Sequence, residues 1–292
     1  MSEIEIWRGS ANAWETDHLG HLNTRFYLAK VEQALPALLV AIGLPPSAPL
    51  MITAQHMRFH KEVRPGTAIH ATGQVLQWGA DRGELLITLY HSVSHDAAAT
   101  FRLMVRQAPG ENASTPEITA ATPNNAIERG LSMAELASVQ ASVARADTLG
   151  LQRTGFVTIL PDQADGQGIW RLSAAMGLVA DAIPHMPHGN WKDLLAAANP
   201  DSPRRIGGVL LEFGFVHQRW PRVGDSVEVR SVLSSCTDRI TRTAHWLLDP
   251  RSKEPWATVS TVGLPLDLDA RRPVALTAEA QAAYRAEAVS DA

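Results

Sequence analysis

The sequence predicts an α+β fold in which one layout is built twice, and three observations carry that reading. A long helical run follows a first strand-like run, four further strand-like runs come after it, and the second half returns these elements in the same order. The first strand is expected near residues 4–14. The helix follows near 24–42, where Asn23 or Thr24 can cap its start and Gly43 with the prolines beyond it forms the stop. The later strands are expected near 51–62, 67–78, 84–94 and 98–107, with the stretches Arg64-Pro65-Gly66 and Asp81-Arg82-Gly83 as turns.

A stretch rich in Pro, Thr and Asn, Ala108 to Asn125, reads as a surface linker, and Ser132 with Glu135 forms a capping box that starts a helix running to about Arg145. The second half then predicts strands near 152–160, 209–219, 225–238, 240–249 and 255–266, and a helix near 170–183. Three markers recur in order: Gly20 with Gly166, Gly66 with Gly224, and Leu131-Ser132-Met133-Ala134-Glu135 with Leu276-Thr277-Ala278-Glu279. The expected organisation is a first unit over 1–124, a connecting helix over 125–150, and a second unit over 151–292 with an inserted loop at 184–208 and a terminal helix.

Composition narrows the function classes. With 292 residues, 45% of them hydrophobic, the chain can fill one large core or two ordinary ones. A formal charge of -4 gives no basic surplus for a nucleic acid. The start, Met1-Ser2-Glu3-Ile4-Glu5, lacks the cationic and apolar pattern of a secretory leader. The most apolar stretch, Ala34 to Leu44, is about half of what a membrane span needs and carries Pro36. Cys236 is the only cysteine, so no intramolecular disulfide can form. A cytoplasmic protein without nucleic-acid or membrane partners is the expectation.

The chemistry concentrates in residues 14–32. Asp17 ends the first strand-like run, Gly20 permits a tight turn, and the helix begins just beyond, so a carboxylate lies beside unpaired backbone N–H groups. A base or nucleophile next to donors for an oxyanion is what hydrolysis of a thioester needs. Asp17, Gly20-His21, Asn23 and Tyr27 resemble the aspartate-x-x-glycine-histidine-x-asparagine signature of hotdog-fold thioesterases of the 4-hydroxybenzoyl-CoA and acyl-ACP thioesterase type.

The resemblance implies two fused hotdog units, each an antiparallel sheet wrapped around a long central helix, and an acyl-CoA or acyl-carrier-protein thioester as substrate, hydrolysed without cofactor or metal. It also allows a homodimer of tandem units, and a non-catalytic acyl-thioester binder as the alternative. Asp17 would attack the carbonyl or activate a water, and His21 would orient the aspartate or the water, or else bond to turn backbone. Asn23 would act in the site or simply cap the helix, and the backbone N–H of Tyr27, Phe26 or Arg25 would meet the oxyanion. Glu32 reads as a helix residue facing solvent or a neighbouring strand.

Arg58, His60, Lys61 and Arg64 could hold the phosphates of coenzyme A or phosphopantetheine, or form a solvated strand end. Arg204 and Arg205 are equally open. Trp14, Trp170, Trp191, Trp220, Trp246 and Trp256 are candidates for a flat acyl pocket or a cation cage, with core packing as the alternative. The second half has Gln163-Ala164-Asp165-Gly166-Gln167-Gly168-Ile169 where the first has the Asp17 motif, which predicts a single active site in the first unit. No His-Glu-x-x-His, Gly-x-Ser-x-Gly elbow, P-loop or dinucleotide fingerprint is present.

Overall fold

The computed structural model describes residues 3–17, 19–48, 50–79, 82–107, 118–186, 206–290 and 292. The chain divides into two compact units, Met1–Arg129 with Trp170–Ala180, and Gly130–Ile169 with Asp181–Ala292. In the first, β1 (Ile4–Ser10) leads to α1 (Thr24–Ala41), then β2 (Leu50–Phe59), β3 (Ala68–Trp78), β4 (Arg82–His91) and β5 (Ala97–Gln107). The strand order is β1-β3-β4-β5-β2 with every neighbouring pair antiparallel. A short β6 (Ile118–Thr119) pairs with the end of β3.

α1 is amphipathic, with Tyr27, Leu28, Val31, Ala34, Leu38 and Leu39 buried at helical spacing. Asn23 caps its start, and at its end Gly43 N–H donates to Val40 O and Leu44 N–H to Leu39 O, the paired bonds of a Schellman stop. Pro36 lies inside the helix, which therefore lacks one ladder donor there; burial of the surrounding apolar face holds it helical. α1 lies against β1 and β3. One row across the sheet runs Gly73–Ile87–Phe101–Met57 by strand register. Gly73 leaves room for its neighbours there: a Cβ would stand 2.9 Å from Leu38 Cδ1 of α1 and 2.8 Å from Ile6 Cδ1, so both side-chain ends would have to shift.

The second unit contains β7 (Gln152–Thr158), β8 (Ile206–His217), β9 (Ser226–Cys236), β10 (Thr241–Leu248) and β11 (Pro255–Asp267) in the order β7-β9-β10-β11-β8. This is the strand order of the first unit. α2 (Met133–Ser138) and α3 (Val143–Thr148) precede β7, α4 (Leu172–Ala182) follows it, and β12 (Arg272–Pro273) and α5 (Ala278–Glu287) follow β11. Trp246 and Leu248 of β10 bury against Ala141, Ala146 and Leu151.

The repetition extends to individual bonds. Gly66 N–H donates to Ala11 O as Gly224 N–H does to Ile159 O, and the N–H groups of His60 and Lys61 share Ala98 O as those of Gln218 and Arg219 share Trp256 O. Gly20 and Gly168 stand 148 positions apart and Gly66 and Gly224 158 apart, so the second unit carries ten more residues between these markers. The expected inserted loop falls in that interval; its residues 187–205, with Arg204, Arg205 and Trp191, lie outside the described residues, as do 108–117 of the expected linker.

Two elements differ from expectation. β1 stops at Ser10 and is followed by a 3-10 turn, Ala13–Glu15, because Asn12 N–H bonds to the Glu15 carboxylate and curls the chain. The single helix expected from Ser132 is two helices of six residues, since Val139 is extended and Ser142 starts a second cap on Arg145 N–H.

In the second unit the row equivalent to Gly73–Ile87–Phe101–Met57 is Ser231–His245–Val259–Phe215. His245 is fully buried, its Nδ1 2.8 Å from Ser231 Oγ and its Nε2 without a partner among the described residues. Burial lowers its pKa to about 3. The unfolded chain therefore binds a proton at this residue between about pH 6.5 and 3 that the folded chain refuses, so stability is complete above that window and falls as pH drops through it. At pH 5 the loss from His245 alone is expected to be about 2 kcal/mol, measured by urea unfolding at pH 7 and pH 5 and removed in His245→Gln.

Candidate active site

The loop before α1 is built by local hydrogen bonds. Glu15 Oε2 accepts from Asn12 N–H (2.8 Å) and Asn12 Nδ2 (3.3 Å), closing the 3-10 turn. Asp17 follows. Its N–H donates to His21 O (2.8 Å), and its Oδ1 accepts from the N–H groups of Leu19 (2.8 Å) and His21 (3.1 Å). Gly20, at φ 74°, supplies the left-handed residue that this turn needs. Asp17 is half-buried with its carboxylate oriented by its own loop, and among the described residues no donor is bonded to Oδ2. That oxygen is the one able to accept a proton from a bound water or approach an electrophile.

At the helix start Asn23 Oδ1 accepts from Arg25 N–H (3.0 Å) and Asn23 O from Phe26 N–H (2.8 Å), while Asn23 N–H donates to Glu15 O (2.9 Å). Tyr27 is the fourth helical residue, so helix geometry directs its N–H toward the carbonyl of Asn23. Its ring is 4% exposed and meets Phe59 edge-on at 5.2 Å; burial pushes the phenol pKa up. Among the described residues the Thr24 N–H has no acceptor, which leaves it as an open donor at the helix start.

The segment after β2 closes the other side. Leu22 N–H donates to Val63 O (2.7 Å), and His21 Nε2 is 3.1 Å from Glu62 Oε2, with Arg64 4.0 Å from that same oxygen. Glu62 was not singled out in the sequence, although it lies between Lys61 and Arg64 of the cationic run. Two further pairs also escaped sequence reasoning. Lys30 Nζ sits 2.8 and 2.9 Å from the two Glu15 oxygens, both side chains buried. Glu32, instead of facing solvent, accepts from Ser173 N–H (3.2 Å) and Ser173 Oγ (2.6 Å) in the first turn of α4, where burial pushes its carboxyl pKa up.

The cationic run is largely committed to the fold. Arg58 Nη1 donates to the carbonyls of Asn124 (3.2 Å), Asn125 (3.0 Å) and Ile127 (3.2 Å), and Thr100 Oγ1 adds a bond to Asn125 O (3.0 Å). His60 Nε2 lies 3.1 Å from Thr100 Oγ1; burial, then the charges of Arg58 and Arg129, lower its pKa to about 4, so at neutral pH it carries no charge for a phosphate. Lys61 is paired with Asp96. Arg64 is the most exposed of the run's arginines. Arg58→Ala is expected to cost about 1–3 kcal/mol in urea unfolding by freeing the 124–127 segment.

The tryptophans divide. Trp14 is 76% exposed beside the Asp17 loop. Trp246 and Trp170 are buried, Trp220 stacks on His217 at 4.1 Å, and Trp256 donates to Ser226 O with the Arg219 guanidinium 4.2 Å from its ring. Among the described residues no three His, Cys, Asp or Glu side chains gather as a metal site, and no helix is long and apolar enough to cross a membrane.

One alignment made from the sequence is corrected. Gly168, at φ 76°, and not Gly166, is the counterpart of Gly20. Asp165 then matches Asp17: its Oδ1 accepts from Gln167 N–H (2.8 Å) and Ile169 N–H (2.9 Å), and its N–H donates to Ile169 O (2.8 Å). The second loop therefore keeps the carboxylate. What it lacks are the residues around it, with Ile169, Arg171 and Trp220 standing where the first unit has His21, Asn23 and Glu62.

Residues 11–121, which hold the Asp17 loop and α1, match the family model described as the thioesterase-like superfamily. A comparison with curated proteins finds no match. Among solved structures, the chain resembles a Lactobacillus plantarum protein provisionally assigned as an oleoyl thioesterase, at 10% identity and TM-score 0.64 over 90% of this chain and 96% of that one. It also resembles an acyl-ACP thioesterase from Bacteroides thetaiotaomicron (7% identity, TM-score 0.59, 88% and 96% covered) and the 12:0-ACP thioesterase from Umbellularia californica (9%, 0.59, 88% and 96%). At these identities the likeness establishes the fold, that of hotdog thioesterases.

Proposed function

We propose, from a first unit that matches the thioesterase-like superfamily within a hotdog thioesterase fold, that this chain hydrolyses an acyl thioester, with an acyl-CoA as substrate. The observation that carries this is the Asp17 loop itself, a half-buried carboxylate with one oxygen oriented by the loop and, among the described residues, one oxygen unbonded, ahead of a helix whose first N–H has no acceptor among those residues. The two units are read as fused hotdog copies, on the support of equal strand order and repeated bonds, with one active site in the first.

In this reading Asp17 Oδ2 takes a proton from water as the water oxygen bonds to the thioester carbon, and the carbonyl electrons move to an oxyanion met by Thr24 N–H. Collapse restores the carbonyl, breaks the C–S bond and returns the proton to the leaving thiolate. Direct attack by Asp17 would pass instead through an anhydride that water then opens; after a single turnover in oxygen-18 water, label in Asp17 identifies that route when the anhydride opens at the Asp17 carbonyl, and hydroxylamine trapping of the anhydride identifies it when the anhydride opens at the acyl carbon. His21, held by Glu62, borders the same loop.

A carrier-protein substrate is the second reading, favoured by the two acyl-ACP thioesterases among the structural neighbours. The test is a panel of acyl-CoAs and matched acyl-carrier-protein thioesters with a thiol-trapping reagent. Thiol release from acyl-CoA supports the first reading, release from the carrier protein alone selects the second, and binding without release from either leaves a binding protein and removes the hydrolase.

A further inference from the structure

Glu15 ties together the two chain segments on which the proposed chemistry depends. It lies two residues before Asp17; its carboxylate holds Asn12 N–H (2.8 Å) and Lys30 Nζ (2.8 and 2.9 Å), and its carbonyl accepts the N–H of Asn23, the residue before Thr24 (2.9 Å). Lys30 projects from the second turn of α1, its Nζ 5.5 Å from the Trp7 ring, and Trp7 Nε1 donates to Gln33 Oε1 (2.9 Å) on the same helix. The ion pair is nearly removed from water, with side-chain exposures of 4% for Lys30 and 12% for Glu15.

A buried ion pair is a costly way to shape a loop, since desolvation offsets most of the attraction between the charges. The second unit forms the same turn without one. There Gln163 occupies the place of Glu15, its Oε1 accepting Leu160 N–H at 3.0 Å, and in the repeated sequence Leu178 of α4 stands at the place of Lys30. The Asp165 loop nonetheless has the bonds of the Asp17 loop. The turn alone therefore does not explain why the first unit buries two charges.

We propose that Glu15 and Lys30 are positioning residues that set the spacing between the Asp17 carboxylate and the start of α1, an inference that rests on the hydrolase reading above. A misplacement of about 1 Å between a reacting group and its donors can cost on the order of 100-fold in rate. The pair provides a link of fixed length from the Asp17 loop to the body of α1, while the Glu15–Asn23 bond fixes the first helical amide.

The test is the double variant Glu15→Gln/Lys30→Leu, which installs the second unit's solution. It is expected to unfold at close to the parent temperature and to bind substrate with KM changed by less than about threefold, but to turn over about 10- to 100-fold more slowly. A double variant with parent stability and parent kcat overturns the proposal. Should it fail to fold, Lys30→Arg keeps the charge pair while displacing the contact; reduced kcat at constant KM supports the proposal and full kcat overturns it. Asp17→Asn is assayed beside them: if that variant remains active, the hydrolase reading itself has failed, whereas an inactive Asp17→Asn beside a fully active double variant refutes only the positioning role.

Discussion

Asp17→Asn is expected to fold as the parent does and to lower kcat for the preferred acyl thioester by about 10²- to 10⁴-fold, the usual contribution of a positioned base. The asymmetry between fold and rate follows from the loop bonds. Oδ1 is the acceptor for the N–H groups of Leu19 and His21, and an asparagine retains that oxygen, so the turn survives. What is lost is the second oxygen as a base. Thermal unfolding within a few degrees of the parent, with thiol release reduced to near background, is the expected pair of results. Asp165→Asn is the matched control, because its carboxylate makes the same turn bonds but is flanked by Ile169 and Trp220 in place of His21 and Glu62. It should leave turnover unchanged. Equal losses in the two variants would mean that the second loop is also an active site, and no loss in Asp17→Asn would dismiss the mechanism.

Lys30→Met is expected to produce the largest change in stability, about 3–5 kcal/mol, because it leaves the Glu15 carboxylate buried without its counter-charge. Both Glu15 oxygens lie within 2.9 Å of Lys30 Nζ, and Asn12 would be the remaining donor to the carboxylate. Against a typical domain stability of about 5–15 kcal/mol, such a loss removes a large fraction of the total. Urea unfolding of the single variant and of Glu15→Gln/Lys30→Leu measures it, with the double variant recovering most of the loss because neither charge remains. A single variant within about 1 kcal/mol of the parent would show that water reaches the pair.

Short-range features of the site were legible in the chain. Asn23 as the cap, Gly20 as the turn residue and the α1 periodicity each depend on residues no more than a few positions apart, and each could be read from the sequence. The error over Gly166 has a physical origin. Gly166 and Gly168 flank Gln167, both glycines tolerate the left-handed region, and composition does not reveal which one adopts it; the Asp165 bonds select Gly168. β1 was read on to about residue 14, because the Asn12–Glu15 cap that ends it competes locally with extension and is not marked by any Gly or Pro in that stretch.

The cationic run illustrates the opposite limit. Arg58, His60, Lys61 and Arg64 look alike in sequence as phosphate ligands, yet Arg58 fastens backbone more than 60 residues away and His60 is neutral. Nothing near them in the chain carries those partners.

From its residues alone the chain determined its α+β class, the repeated layout, the first long helix and the turn that carries Asp17, because propensity, capping and hydrophobic period act over one or two turns of backbone. Only the tertiary structure joined Glu15 to Lys30, His21 to Glu62 and Glu32 to Ser173, and set Asp165 in the same turn as Asp17. Those ion pairs and long-range bonds depend on which side chains leave water together, and that is settled by packing.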